Sequence, residues 1–186
     1  KECGINVSAF LGGISVNFNS NYLYGDSEFV VVEADEFDKS FLRLSPDYIV
    51  LTSIDTDHLD IYGSREHIVE SFQEFLDLLP SSGHLVYSDN VRDKICVQGT
   101  MSTYGFGNND IRATDVVVYP MYSTFQVNHG SVEYRLNYNG RHNIENALAA
   151  ISIAMKLGIA EEDIRTALDK FRGIKRRFEV IHQSEN

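Results

Sequence analysis

Two acidic segments contain most of the side chains that could bind a metal ion. The first is Glu33-Ala-Asp-Glu-Phe-Asp38, in which four carboxylates occur within six residues. The second is Asp55-Thr-Asp-His-Leu-Asp60, in which His58 follows Asp57 directly. Carboxylate oxygens are hard ligands that suit a divalent cation, and a histidine beside a carboxylate can serve as a metal ligand or a base. Simpler interpretations are a solvated acidic loop for the first segment and a helix-capping turn for the second.

A third segment, Gly140-Arg-His-Asn-Ile-Glu-Asn146, precedes the helix-forming stretch Ala147-Leu-Ala-Ala150. Asn143 and Asn146 are three residues apart, so they share one face of the first helical turn. A carboxamide donates and accepts hydrogen bonds at once, which suits the edge of adenine, and a helix N-terminus favours anions. The alternative is that Asn143 only caps the helix.

The fourth segment is Lys175-Arg-Arg177, the densest basic cluster in an acidic chain. Arginine suits bidentate contact with phosphate oxygens, although a solvated surface patch is the simpler interpretation. Two familiar catalytic signatures are absent from the 186 residues. The sequence contains neither the phosphate-binding loop pattern G-x-x-x-x-G-K-[ST] nor the nucleophile pattern G-x-S-x-G.

The elements around these segments indicate a parallel sheet. Phe29–Ala34 and Asp47–Ile54 are near-continuous apolar runs, which is typical of parallel strands buried on both faces. The acidic segments end or follow these runs, so both should lie at the edge where open α/β sheets bind ligands. Apolar residues then recur at helical spacing from Ser64, a plausible N-cap, to Leu79, and His84–Ser88 is predicted to be another strand.

The second half of the chain has a different pattern. Tyr122–Val127 and Val132–Leu136 flank a glycine-containing turn and predict a β-hairpin. Helices are predicted over residues 143–157 and 161–171, and a last strand over residues 176–181. The predicted fold class is therefore α/β, a mostly parallel sheet flanked by helices with a small antiparallel β sub-sheet.

Composition excludes several functional classes. The chain has 16 Lys and Arg against 27 Asp and Glu, a formal charge of −11, which argues against a generic nucleic-acid surface. No apolar run is long enough to predict a membrane-spanning helix. Two cysteines, Cys3 and Cys96, do not form a disulfide framework. We therefore expect a reduced, cytoplasmic protein that binds neither nucleic acid nor membrane.

The segments, in this order, resemble the ATP-binding, P-loop-type central domain of the Mur ligases. The resemblance is carried by Val32–Phe41, Ile54–Tyr62, Gly140–Ala147 and Gly173–Glu179, and it is closest to the branch that joins L-alanine to UDP-N-acetylmuramate. It implies that residues 1–181 form this domain and that residues 182–186 begin a linker to a further domain.

The resemblance also implies an activity and roles for individual residues. ATP would phosphorylate the substrate carboxylate, and the amine of the amino acid would then attack the acyl phosphate. Glu33 and His58 would be catalytic and would each bind Mg²⁺. Asn143 and Asn146 would bind the adenine of ATP, Arg177 would contact its phosphates, and His142 would also bind the nucleotide. The backbone near Gly12, Gly13 and Asn17 would approach the UDP sugar, because glycine allows close contact.

Two departures from the family pattern limit this interpretation. The phosphate loop of the family would lie about one helix upstream of Gly4, so we expect a longer parent protein and an inactive chain when it is isolated. Sister ligases place a carbamylated lysine in the helix after the histidine segment, but no lysine occurs between Lys39 and Lys94, and Phe72 lies near the relevant place. This favours the alanine-adding branch.

Three alternatives remain open at this stage. A sibling ligase attaches recycled murein tripeptide to the same sugar and shares much of the pattern. A metal-dependent phosphoesterase could be built on Glu33, Asp57 and His58, although two-metal hydrolases usually have more ligands. A non-catalytic nucleotide-binding module would also account for a nucleotide site without a phosphate loop.

Overall fold

The structure is a computed structural model that describes residues 1–55 and 62–176. Residues 56–61 and 177–186 lie outside the described residues. The first of these two segments includes the candidate ligand His58, and the second includes Arg177 and most of the predicted last strand. These predictions therefore remain untested.

The first sheet has three strands, β1 (Ser8–Ser15), β2 (Ser20–Leu23) and β3 (Val30–Val32). β1 lies in the middle, antiparallel to β2 and parallel to β3. The end of β1 also forms an antiparallel bridge between Ser15 and Ile174, so the C-terminal part of the described chain returns to this sheet.

The second sheet has six strands in sequence order, and the pairing of neighbouring strands changes from parallel to antiparallel along it. β4 to β7 run parallel, whereas β7, β8 and β9 are antiparallel neighbours. Its strands are β4 (Tyr48–Leu51), β5 (His84–Ser88), β6 (Thr100–Gly105), β7 (Ile111–Val118), β8 (Ser123–Val127) and β9 (Glu133–Leu136). The predicted α/β class and hairpin are confirmed, with the antiparallel strands continuing the parallel sheet.

Among the described residues, three α-helices flank the six-stranded sheet: α1 (Arg65–Leu76), α2 (Arg141–Lys156) and α3 (Glu161–Lys170). The predicted N-cap of α1 is confirmed, because Ser64 Oγ accepts a hydrogen bond from the His67 amide at 3.3 Å. Short 3₁₀ helices occupy Ser40–Arg43 and Asp89–Lys94. No helix of the described ranges is long and apolar enough to cross a membrane.

β5 separates two hydrophobic cores. Val86 belongs to the core that α2 and α3 form with β6 to β9, whereas Leu85 and Tyr87 belong to the core between α1 and β4. Alternate residues of a strand point to opposite faces, so this sheet is covered on both sides at β5. All five residues of β5 are buried.

The predicted burial of Phe29–Ala34 is wrong. Val30, Val31 and Val32 keep 56%, 51% and 42% of their surface exposed. Among the described strands, β3 is hydrogen-bonded to β1 alone, so one of its edges has no strand partner there. β4, at the edge of the other sheet, is buried only at alternate residues.

Candidate nucleotide-binding site

A pocket of about 370 Å³ lies where α2 begins, and it contains three of the predicted ATP-binding residues. His142, Asn143 and Asn146 line it together. The rest of the lining is largely apolar: Leu136, Tyr138, Ala147, Ala150, Leu168, Phe171, Gly173 and Ile174. A concave apolar site with a few polar groups on one wall is the usual form of a small-molecule pocket.

The start of α2 differs from the capping interpretation of Asn143. The N-cap is Gly140, whose φ of 98° lies where glycine is favoured, and the helix has no side-chain cap. Asn143 is therefore the third helical residue, and its Nδ2 donates to the Asn139 carbonyl at 2.7 Å. The capping interpretation was wrong, and Asn143 lies in the pocket wall one turn before Ala147.

The opposite wall of the pocket was not predicted from the sequence. The Tyr138 hydroxyl donates to the Arg172 carbonyl at 2.6 Å, and the Tyr138 and Phe171 rings lie 6.0 Å apart between centroids. Gly173 has a φ of 79°, and a Cβ there would lie 1.9 Å from the Tyr138 hydroxyl oxygen. Only a glycine allows Tyr138 this position. Tyr138 and Phe171 are far apart in sequence and belong to no motif, so only the positive φ expected of Gly173 hinted at this wall.

The predicted sugar-binding residues make close contacts within the protein. A Cβ on Gly12 would lie 2.8 Å from Glu33 Oε1, and one on Gly13 would lie 2.4 Å from Ile174 Cγ2. Asn17 accepts a hydrogen bond from the Arg172 amide and donates to the Lys170 carbonyl, both at 2.7 Å. These residues therefore join β1 to Glu33 and to the end of α3. Their contact with a sugar stays a prediction.

Glu33 follows β3 directly and is held at two points. Its amide donates to the Phe10 carbonyl at 2.9 Å, and its Oε2 accepts a hydrogen bond from the Gly12 amide at 2.7 Å. β1 therefore fixes both the backbone and the carboxylate of Glu33. This places the predicted metal ligand at the carboxyl end of a parallel strand, where ligands of α/β sheets bind.

The other carboxylates of this segment shape a turn. Asp35 accepts a hydrogen bond from the Phe37 amide and Asp38 accepts one from the Ser40 amide, both at 2.9 Å. Hydrogen bonds from Ser40 lower the pKa of Asp38. Across residues 1–55 and 62–176, no three His, Cys, Asp or Glu side chains form a group that could hold a metal ion. The four carboxylates that lie close together in the sequence therefore do not form one metal site among these residues.

A second pocket, of about 190 Å³, lies between the two acidic segments. Ala34 and Glu36 from the first segment line it, and so do Asp55 and Tyr62, which flank residues 56–61. Both ends of the segment that contains His58 therefore meet the residues that follow Glu33. The predicted convergence of the two segments is supported at these ends, while His58 itself lies outside the described residues.

The comparisons with known proteins identify the family. A family model described as the Mur ligase middle domain matches residues 13–154. The chain belongs to the Mur ligase family. A curated relative, the UDP-N-acetylmuramate–L-alanine ligase of Christiangramia forsetii, is 40% identical over 182 residues, which cover 96% of this chain and 39% of the relative.

Solved Mur ligases share the fold. The UDP-N-acetylmuramate-alanine ligase of Thermotoga maritima superposes with a TM-score of 0.83 at 26% identity, over 98% of this chain and 42% of that one. A UDP-N-acetylmuramate:L-alanyl-gamma-D-glutamyl-meso-diaminopimelate ligase from Neisseria meningitides gives 0.80 at 24% identity, over 94% and 60%. The chain thus spans about two fifths of the length of the curated relatives it matches.

Proposed function

We propose that this chain is the ATP-binding part of a ligase that joins L-alanine to UDP-N-acetylmuramate through an acyl phosphate. The observation that carries the proposal is the pocket at the start of α2, which brings His142, Asn143 and Asn146 together. The names of the curated relatives support the choice of substrates. The absence of lysine between Lys39 and Lys94 agrees with the alanine-adding branch. Such a ligase would work in the cytoplasm of a bacterium.

The pocket fits adenine in size and chemistry. Its apolar walls can cover the faces of a planar base, and the carboxamides of Asn143 and Asn146 can donate and accept at its edge. Arg177, outside the described residues, follows the pocket-lining segment by three residues and is proposed to contact the phosphates. Adenine recognition would thus use residues from two helices and the C-terminal segment.

The surroundings of Glu33 would fit a magnesium ion held together with nucleotide phosphates. Mg²⁺ is usually held by one or two carboxylates together with substrate phosphates and water, so a single oriented carboxylate suffices. When bound, the ion neutralises charge on the transferring phosphoryl group. Glu33 is already oriented by the Gly12 amide. His58 is proposed as the ligand of a second ion beside the substrate carboxylate.

Two unpaired strand edges support a longer parent. β3 and β4 each have an edge without a partner among the described strands, and the three valines of β3 are exposed. A further strand between β3 and β4 would cover these edges and deliver a loop to the space between Glu33 and Asp55. We propose that the phosphate loop enters there, since this chain contains no such sequence.

Titration of the isolated chain with adenosine and with ATP tests the nucleotide site. Because the phosphate-binding loop is absent, we expect weak binding, with affinities for the two ligands within about threefold of each other. Asn146→Ala should weaken both equally. Micromolar affinity for ATP together with a strong preference over adenosine would contradict the proposal that the phosphate-binding loop lies outside this chain. No adenosine binding at all would exclude the pocket.

An assay of the intact parent protein tests the substrates. We expect ADP release that depends on UDP-N-acetylmuramate and L-alanine. Coupling of tripeptide in place of L-alanine would identify the sibling ligase instead. Hydrolysis of a model phosphate ester with Mn²⁺, lost in His58→Ala, would favour a phosphoesterase.

A further inference from the structure

Tyr62 is a buried tyrosine that contacts the turn formed by residues 34–39, here called the acidic turn. Its side chain is 5% exposed, and its hydroxyl donates to the Glu36 carbonyl. Its own carbonyl lies 2.9 Å from the His67 ring nitrogen Nδ1, in the first turn of α1. The Lys39 ammonium lies 5.2 Å from the centre of its ring. Tyr62 therefore contacts α1 through its carbonyl and the acidic turn through its hydroxyl.

The Tyr62 hydroxyl donates to the same carbonyl that accepts the hydrogen bond closing the turn. The Glu36 carbonyl also accepts the Lys39 amide at 3.1 Å, and two residues later the Phe41 amide donates to the Asp35 carbonyl. A carbonyl oxygen has two lone pairs, so it can accept both donors. Tyr62 thus supplies a donor to this carbonyl from outside the turn.

The hydroxyl remains a donor at neutral pH. Burial raises the pKa of Tyr62, and the nearby carboxylates of Glu36, Asp35 and Asp38 raise it further. A phenolate could not donate to a carbonyl, so this environment maintains the contact.

We propose that Tyr62 is a positioning residue that holds the acidic turn on α1 and thereby fixes the carboxylate of Glu33 for Mg²⁺. The inference rests on the proposed metal role of Glu33. Glu33 has two restraints from β1, through Phe10 and Gly12, but the acidic turn begins at the residue that directly follows it. Without the Tyr62 hydroxyl, the acidic turn loses this hydrogen bond, and only the packing of the Phe41 ring on Phe72 and Phe75 still joins the described part of this segment to α1.

Paramagnetic line broadening of the intact parent protein can test this, with substoichiometric Mn²⁺ and excess ATP as the probe. The reporter is the Gly12 amide, which donates to Glu33. Tyr62→Phe removes only the hydroxyl and keeps the ring. Tyr87→Phe is the matched control, because Tyr87 lies in the same core at 7% exposure and its hydroxyl contacts only Met101 sulfur among the described residues. Glu33→Gln tests the metal role itself.

We expect broadening at Gly12 in the wild-type chain and its loss in Glu33→Gln. Tyr62→Phe should need about three to ten times more Mn²⁺·ATP for equal broadening, the equivalent of one ordinary hydrogen bond. Tyr87→Phe should match the wild type. If Glu33→Gln responds and Tyr62→Phe does not, the positioning role is wrong and the proposed function stands. If Glu33→Gln leaves the broadening unchanged, the metal role fails and this inference fails with it.

Amide hydrogen exchange separates positioning from a general loss of stability. In Tyr62→Phe, the Lys39 amide should exchange faster, while amides of β5 should keep their protection. In Tyr87→Phe, the Lys39 amide should be unchanged. Equal acceleration across both cores would show a general structural effect and would overturn the proposal.

Discussion

The nucleotide pocket and the edge that carries Glu33 differ in how much of each is built by this chain. The pocket is enclosed by α2, α3 and the segment after α3, and both residues of the close contact between Gly173 and Tyr138 belong to this chain. The Glu33 edge has an oriented carboxylate, but β3 beside it has an edge without a partner among the described strands and exposed valines. The proposed base site is therefore built within this chain, whereas the proposed phosphate site needs residues beyond those described.

The difference shows which of the two proposed sites this chain can form by itself. A pocket made from one contiguous stretch, residues 136–174, can form without the parent. A site made at the meeting of two sheet edges cannot.

Closing the pocket should depend on Gly173. Gly173→Ala forces a side chain into a φ of 79° and into the Tyr138 hydroxyl, so we expect a loss of about 3 kcal/mol in the free energy of unfolding. Gly158→Ala is the control, since its φ is 75° but a Cβ would meet nothing within 4 Å. It should cost about 1 kcal/mol. Urea unfolding measures both, and equal losses would show that the Tyr138 contact is unimportant.

Filling the pocket should abolish base binding without affecting the Glu33 edge. Ala150 lines the pocket from an exposed helical position. Ala150→Trp should reduce adenosine affinity at least about tenfold, because the indole occupies the space of the base. The thermal midpoint should change little, and the Gly12 and Glu33 amide resonances should stay in place. Unchanged adenosine affinity would place base binding elsewhere.

Acid should loosen the side of the sheet that supports the pocket. Burial lowers the pKa of His84, and nearby Lys156 lowers it further. The unfolded chain therefore takes up a proton first as the pH falls below about 6.5. The free energy of unfolding that depends on neutral His84 is therefore complete above that pH. It decreases as the pH falls towards the lowered pKa of His84 in the folded chain. The urea midpoint should be lower at pH 5.5 than at pH 7.5, and His84→Gln should reduce this difference. An equal difference in the variant would exclude His84 as the cause.

The smallest effect should come from β3. Val31→Thr should change the stability of the isolated chain by less than about 0.5 kcal/mol, because the side chain is half exposed. Val86→Thr, the same change at a fully buried residue of β5, should cost about 2 kcal/mol. Denaturant titration of both variants provides the comparison. A large loss for Val31→Thr would mean that β3 is already covered.

Local patterns predicted the elements and the polar wall of the pocket. Ser64 before a helical run identified α1, and the spacing of Asn143 and Asn146 placed both on the first turns of α2. These signals depend on neighbours within one or two turns, which a sequence displays directly. The fold class followed from the order of such elements.

Contacts between distant residues were not predictable in the same way. Tyr138 and Gly173 meet only because α3 returns the chain to β9, and neither residue type announces this. Apolar character indicated that β3 needs a cover, but it could not indicate where the covering residues lie. Composition likewise could not distinguish metal ligands from turn formers at Asp35 and Asp38, since carboxylates serve both purposes.

The adjacent glycines of β1 have a consequence for how this sequence can vary. Successive residues of a strand face opposite sides, so Gly12 admits the Glu33 carboxylate on one face while Gly13 admits Ile174 on the other. Neither position has room for even a methyl group unless its neighbour moves. A side chain at Gly12 would displace the Glu33 carboxylate and one at Gly13 would displace Ile174, so a saturation library selected for activity of the parent should be enriched in glycine at both positions.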